Sequence, residues 1–180
     1  MVENMMEVVD MDGHLSVEDG KITEFTADSS RVADLSADSR SHVLTSTQFL
    51  LPGFIDAHVH APQYPNLGLG VDLPLLTWLR TYIFALERKF ADLSYATTVY
   101  DKVVDRLIAN GTTTASYFGT IHTDACLLLA DTVHRKGQRG YVGKVNMTVN
   151  CESYYRETVQ ESLQETERFV EEMKNLCSKK

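Results

Sequence analysis

Two histidines separated by one residue, His58 and His60, are the residue types and spacing in this sequence that best suit metal chemistry. They lie in the stretch LPGFIDAHVHA, of which residues 54–61 are predicted to form a β-strand. Side chains two residues apart on a strand share a face, and a rise of about 3.3 Å per residue separates them by roughly 6.6 Å. Such a pair can bind one metal ion. Zinc suits imidazole ligands, and ligand type alone also fits iron or cobalt.

The strand that carries the histidines is predicted to have one polar and one apolar face. Its polar face holds Phe54, Asp56, His58 and His60, and its apolar face holds Ile55, Ala57, Val59 and Ala61. We expect the apolar face to pack against helices. Asp56 either orients a ligand histidine or is a structural hydrogen-bonding carboxylate. The polar end lies at the strand's C-terminus, where parallel α/β proteins place their sites.

Strands and helices alternate from residue 54 onward. Further strands are predicted over 112–118 and 139–149, and helices over 74–90, 94–110, 123–136 and 156–177. This alternation predicts parallel βαβ units. Three units form either a small open α/β sheet or the opening part of a (β/α)₈ barrel, which needs roughly 250 residues.

Two of the predicted helices carry apolar faces. In the helix over 74–90, Asp72 is the expected cap, Pro74 lies near the first turn, and Trp78 is either a core residue or a site residue. The apolar set around Trp78 comprises Leu75, Leu76, Leu79, Ile83 and Leu86. The last helix is amphipathic, with a predicted stripe of Val159, Leu163, Thr166, Val170, Met173 and Cys177.

The sequence pattern over residues 1–51 predicts a separate, β-rich segment. The pair Asp19-Gly20 predicts a hairpin, a polar stretch over 27–41 follows, and 43–51 is a second β-like run. Pro52-Gly53 then interrupts the chain. We therefore expect one domain segment over 1–51 and another over 52–180.

Composition narrows the classes of function. A net charge of -8 argues against a nucleic-acid surface, and the chain has no run of 18 apolar residues that would span a membrane. The acidic N-terminus does not resemble a signal peptide. Cys126, Cys151 and Cys177 are odd in number and widely separated, which favours buried thiols and a cytoplasmic protein.

The residues around the histidine pair resemble the amidohydrolase superfamily. LPGFIDAHVH is similar to that superfamily's PGxxDxHxH stretch, which forms the first barrel strand and supplies two metal ligands. GKITEF resembles the small N-terminal β-sandwich that precedes the barrel. The guanine-deaminating members resemble this chain most, through APQY at 61–64, DLPLLTWL at 72–79, NGTTTA at 110–115, TIHTD at 120–124, GQR at 137–139, VGKV at 142–145 and ETERFV at 165–170.

The resemblance implies a fold, a reaction and a set of site residues. The fold would be part of a β-sandwich over 1–51 and the first three β/α units of a TIM-type barrel over 52–180. The reaction would be zinc-dependent hydrolysis of guanine to xanthine and ammonia, with one Zn²⁺ per site held partly by His58 and His60. Gln63 would hydrogen-bond the purine, while Leu75 and Trp78 would help to form the base pocket.

The resemblance also implies that the site is incomplete within this chain. A third metal histidine, a proton-shuttling Glu, a further His, a metal Asp and an Arg-Phe pair would lie beyond Lys180. The chain is therefore expected to be a fragment or a short isoform, poorly soluble and inactive alone, of a protein that forms a homodimer at full length. His122 and Lys144 are expected to be structural. A carboxylated lysine at 144 would instead belong to a two-metal site.

Three other functions stay open. The chain could belong to a neighbouring amidohydrolase that acts on an adenosine-type or triazine ring amine, although Pro62-Gln63 after the histidines argues against it. It could be a non-catalytic form that pairs with the full-length enzyme. A flavodoxin-like domain would need a Gly-rich loop after the first strand, where this chain has His-Ala-Pro-Gln-Tyr.

Overall fold

The computed structural model describes residues 13–27 and 42–178. Contacts divide the chain into two units between Leu51 and Pro52, and each is described by itself. Most of the predicted polar stretch, residues 28–41, lies outside the described residues. In the part of the chain that is described, no helix is long and apolar enough to cross a membrane.

The first unit contains the predicted hairpin. Strand β1 (His14–Glu18) pairs antiparallel with β2 (Lys21–Thr26). Asp19 and Gly20 connect them with φ of 50° and 73°, and two consecutive positive φ angles are what a tight type I′ turn requires. The hairpin prediction is confirmed.

The prediction of a second β-like run over 43–51 is wrong. These residues form irregular backbone with a turn at Ser46 and Thr47, and Phe49 is 76% exposed. Within the described ranges no strand pairs with this run. Its apolar residues therefore gain neither the hydrogen-bond ladder nor the buried face that would favour a strand.

The second unit is built around a parallel sheet with the strand order β3-β4-β5. Its strands are β3 (Phe54–His60), β4 (Thr112–Phe118) and β5 (Arg139–Gly143). The predicted α/β class with parallel strands is confirmed. Strand β5 ends six residues before the predicted position 149, at Gly143, which lies opposite Phe118, the last residue of β4.

Two long helices cover one face of this sheet. Helix α3 (Leu93–Ala109) connects β3 to β4, and α4 (Thr123–Arg135) connects β4 to β5. Asp92 caps α3 by accepting hydrogen bonds from the N–H groups of Ser94 at 2.8 Å and Tyr95 at 3.4 Å. The shared core contains Phe90, Ala96, Val99, Tyr100, Val103, Val104, Ala115, Tyr117, Ala125, Leu129 and Val133.

The segment between β3 and α3 is not the single helix predicted over 74–90. A 3₁₀ helix (Ala61–Asn66) follows β3 directly, and the later part consists of α1 (Leu75–Trp78), a π-helical turn (Leu79–Ile83), α2 (Phe84–Glu87) and a 3₁₀ turn (Arg88–Ala91). Pro74 precedes α1 at its N-cap position, and Asp72 does not cap the helix.

The π-helical turn changes which side chains of this segment are buried. Ile83 is buried, whereas Leu75 and Leu76 are 66% and 62% exposed. A π turn adds a residue to the helical repeat, so the residues after it are rotated relative to those before it. A regular 3.6-residue period cannot predict this change.

The last helix, α5 (Val159–Ser178), buries a stripe that shares only Thr166 and Met173 with the predicted one. Val159, Leu163 and Val170 are exposed, and so is Cys177. The side facing the protein carries Ser162, Thr166, Phe169 and Met173. The salt bridge from Arg168 to Asp124 on α4, at 2.8 Å, and the burial of Phe169 set this rotation.

Gln138 joins the starts of β4 and β5 inside the protein. Its side-chain oxygen accepts a hydrogen bond from the Tyr117 hydroxyl at 2.6 Å, and its amide donates to the carbonyl of Thr112 at 2.8 Å. Gln138 is buried. The substitution Gln138→Leu therefore leaves two buried polar groups without a partner.

We expect Gln138→Leu to lower the free energy of unfolding by about 2–4 kcal/mol, since each buried polar group left unpaired costs about 1–3 kcal/mol. Urea denaturation of the purified protein measures the change. The exposed Gln164 on α5 provides the control, and Gln164→Leu should change stability by less than about 0.5 kcal/mol. Equal losses in both variants would show that the buried hydrogen bonds contribute little.

Candidate metal and substrate site

The side chains of His58 and His60 meet at the C-terminal end of β3. Their Nε2 atoms are 2.9 Å apart, and their ring centroids are separated by 4.8 Å. Phe118, at the end of β4, contacts both rings, with centroid distances of 4.5 Å to His58 and 5.0 Å to His60. The parallel pairing of β3 and β4 brings Phe118 there, because Phe118 lies opposite His60.

An irregularity in β3 helps to position His58. The register with β4 shifts between Asp56 and Val59, so that β3 carries an extra residue there. Asp56 Oδ1 accepts the backbone N–H of His58 at 3.0 Å, which satisfies a group within the bulge. Asp56 therefore positions His58 through its backbone rather than through its imidazole.

The apolar face predicted for β3 is only partly buried. Val59 packs against the core and Ala61 is fully buried, but Ile55 is 75% exposed and Ala57 is exposed. In the described residues β4 is the only strand paired with β3. The first half of β3 therefore lies at an edge that the helices do not cover.

The two imidazoles fit a zinc ion. Two nitrogens at about 2.0–2.1 Å from a tetrahedral zinc lie roughly 3.3 Å apart, close to the observed Nε2 separation. Burial, and secondly the neighbouring His58, lowers the pKa of His60, which favours the neutral imidazole that binds metals. Among residues 13–27 and 42–178 no group of three or more His, Cys, Asp or Glu side chains could hold a metal. Within these ranges, His58 and His60 are thus two candidate ligands.

Gln63 follows the histidines on the 3₁₀ helix and bonds to a buried carboxylate. Its Nε2 donates to Glu87 Oε1 at 3.0 Å, and Tyr155 donates its hydroxyl proton to Glu87 Oε2 at 2.6 Å. Glu87 is only 6% exposed. Burial raises the pKa of Glu87, while the hydrogen bonds from Tyr155 and Gln63 act in the opposite direction.

Trp78 is half-buried and lies against the loop that precedes α1. Its indole N–H donates to the carbonyl of Leu69 at 2.9 Å. Trp78 and Leu75 line a shallow concavity together with Gly70, Val71 and Leu73. Gly70 has a φ of +67°, and a Cβ there would lie 2.5 Å from the ring of Tyr82. Close approach of the loop to the helix therefore requires glycine at this position.

His122 and Lys144 follow the ends of β4 and β5 and make internal hydrogen bonds. His122 Nδ1 lies 3.0 Å from Thr120 Oγ1, and burial lowers the pKa of His122. The side chain of Lys144 is 1% exposed and donates to Glu157 at 2.6 Å. These bonds fit the structural roles that the sequence suggests for both residues.

Sequence reasoning missed Phe118, Glu87 and Tyr155. Glu87 stands in the charged run LERK, which is typical of a solvated helix face. Tyr155 lies in a loop, 68 residues from the carboxylate that it contacts. Only Phe118 had a usable signal, since it ends the strand predicted next to the histidines. Contacts between residues far apart in the sequence produce no periodic pattern from which they could be predicted.

Comparison with known proteins agrees with this geometry. The model of the amidohydrolase family matches residues 49–180. Guanine deaminase of Rattus norvegicus is 53% identical over 131 residues, which cover 72% of this chain and 29% of the relative. Probable guanine deaminase of Schizosaccharomyces pombe is 42% identical over 177 residues, covering 94% of this chain and 34% of the relative.

A solved structure shows the same relationship. Guanine deaminase from C. acetobutylicum, with guanine bound in its active site, superposes with a TM-score of 0.76 at 36% identity. The match covers 89% of this chain and 38% of that chain. The chain thus spans about a third of the length of the relatives that it matches. It belongs to the amidohydrolase family.

Proposed function

We propose that the protein carrying this chain deaminates guanine hydrolytically, giving xanthine and ammonia, with one zinc ion that His58 and His60 help to bind. The observation that carries this proposal is the 2.9 Å approach of the two Nε2 atoms at the C-terminal end of a parallel strand. Gln63, three residues after His60, adds a purine-binding group. The guanine deaminases among the relatives support the choice of substrate.

Each residue of the proposed site has a distinct task. His58 and His60 bind zinc through Nε2, and Asp56 fixes the backbone of His58. When bound, zinc supplies a Lewis acid that makes water a nucleophile at neutral pH. Gln63 binds the purine, and Trp78 and Leu75 form one wall of the base pocket. The third ligand and the groups that move protons come from outside the described residues.

The fold proposal follows from the same family. Strands β3, β4 and β5 would be the first three strands of a (β/α)₈ barrel, and the β1–β2 hairpin would belong to a small β-sandwich. The homodimer, the cytoplasmic location and the description of this chain as an inactive fragment or short isoform stay predictions.

Zinc-loaded, purified protein that carries this chain should convert guanine to xanthine and ammonia. Adenine and a triazine amine should release little ammonia under the same conditions. A chelator should abolish the reaction, and added zinc should restore it. Chromatography of the products, together with an ammonia assay, provides the measurement. Ammonia released from adenine or the triazine but not from guanine would contradict the proposed substrate.

Zinc binding should depend on both histidines of β3. We expect His58→Asn and His60→Asn each to weaken zinc binding by more than about 100-fold, since changes in groups that only orient ligands already cost about 10–100-fold. Zinc content after dialysis, measured by mass spectrometry, reports the loss.

The exposed His134 on α4 provides a matched control. His134→Asn should retain the zinc content of the unmodified protein, and circular dichroism should show that all three variants fold. Zinc retained at full stoichiometry in folded His58→Asn or His60→Asn would contradict the assignment of that residue as a ligand.

A further inference from the structure

A chain of hydrogen bonds links Ile121 to Gln63 and converges on the carboxylate of Glu87. The backbone N–H of Ile121 donates to the Tyr155 hydroxyl oxygen at 3.3 Å. Tyr155 donates its own proton to Glu87 Oε2 at 2.6 Å, and Glu87 Oε1 accepts from Gln63 Nε2 at 3.0 Å. The chain connects the loop after β4, the loop before α5, α2 and the 3₁₀ helix that follows the histidines. Each bond in it has a defined donor.

The carboxylate of Glu87 determines which end of the Gln63 amide faces it. Both oxygens of Glu87 accept hydrogen bonds, so each of its two neighbours must supply a donor. Tyr155 supplies one donor, because burial and the charge of Glu87 raise the pKa of Tyr155 and keep its hydroxyl protonated. Gln63 must therefore turn its NH₂ group toward Glu87.

The oxygen of the Gln63 amide is consequently left for a ligand. Among the described residues the only side-chain hydrogen bond of Gln63 is the one to Glu87, and Gln63 is half-buried next to the histidine strand. An amide oxygen accepts hydrogen bonds and cannot donate them. It favours a ring edge with N–H groups. Guanine carries such groups at N1 and at its amino substituent, whereas N1 of adenine is an acceptor.

We propose that Glu87 is a positioning residue that fixes the orientation of the Gln63 amide and thereby makes the protein prefer purines whose N1 carries a hydrogen, as in guanine, over those whose N1 is an acceptor. This inference rests on the proposed function, because it takes Gln63 to be a purine-binding residue. The side-chain hydrogen bonds that Glu87 makes within the described residues go to Gln63 and Tyr155, not to the histidine pair. Its effect on the substrate passes through Gln63.

The variant Glu87→Gln tests the inference with an almost isosteric change. Tyr155 still donates to the new amide oxygen, so the new NH₂ group faces Gln63. Gln63 must then accept with its oxygen and turn its own NH₂ toward the ligand. We expect the KM for guanine to rise roughly tenfold, the range that one lost hydrogen bond explains, with kcat changed less than about threefold.

Exchanging the side chains at positions 63 and 87 should restore the binding of guanine. In the double variant Gln63→Glu with Glu87→Gln, the amide at position 87 donates to a carboxylate at position 63, whose second oxygen again faces the ligand as an acceptor. We expect the KM to return to within about threefold of the original value. Glu171→Gln, at an exposed position on α5, is the control for loss of a carboxylate and should leave KM and kcat unchanged.

The outcomes separate this inference from the proposed function. Failure of the unmodified protein to deaminate guanine would contradict the proposed function itself. Normal activity of the unmodified protein, with an unchanged KM in folded Glu87→Gln or an elevated KM in the folded swap variant, would overturn only the role of Glu87. If Glu87→Gln does not fold, the swap variant decides, because it keeps one carboxylate and one amide in the buried pair.

Discussion

The parallel pairing of β3 with β4 is the constraint on which the proposed site depends. It places Phe118 opposite His60 and presses one aromatic ring against both imidazoles. The bulge between Asp56 and Val59 makes this possible without leaving the His58 N–H unpaired, because Asp56 accepts it. Two side chains that a regular strand would hold roughly 6.6 Å apart thus bring their Nε2 atoms to hydrogen-bonding distance.

Packing on one side of the sheet leaves the C-terminal ends of its strands available for the proposed site. Helices α3 and α4 bury Ala115 and Tyr117 on one face, and this hydrophobic burial fixes β4 without using His58, His60 or Phe118. Polar groups collect at those ends. One set is the histidine pair after Asp56, and another is the buried group formed by Gln63, Glu87 and Tyr155.

The parts of the molecule with short-range signals could be predicted from the sequence. The Asp19-Gly20 turn, the α3 helix ending before Gly111, and the strand that carries His58 and His60 all have local causes in turn geometry, capping and alternation. The β-like run over 43–51, the π-helical turn and the rotation of α5 depend on what packs around them. The partners of Gln63 also depend on tertiary packing. In the sequence alone, a buried glutamate within a charged run cannot be distinguished from a solvent-exposed one.

X-ray diffraction data collected at the zinc absorption edge, from crystals of zinc-loaded protein carrying this chain, would show whether His58 and His60 bind the same zinc ion. We expect one anomalous peak per chain within bonding distance of both Nε2 atoms, at about 2.0–2.1 Å from each. A zinc ion bound elsewhere in the protein, with His58 and His60 still joined only to each other, would contradict this expectation.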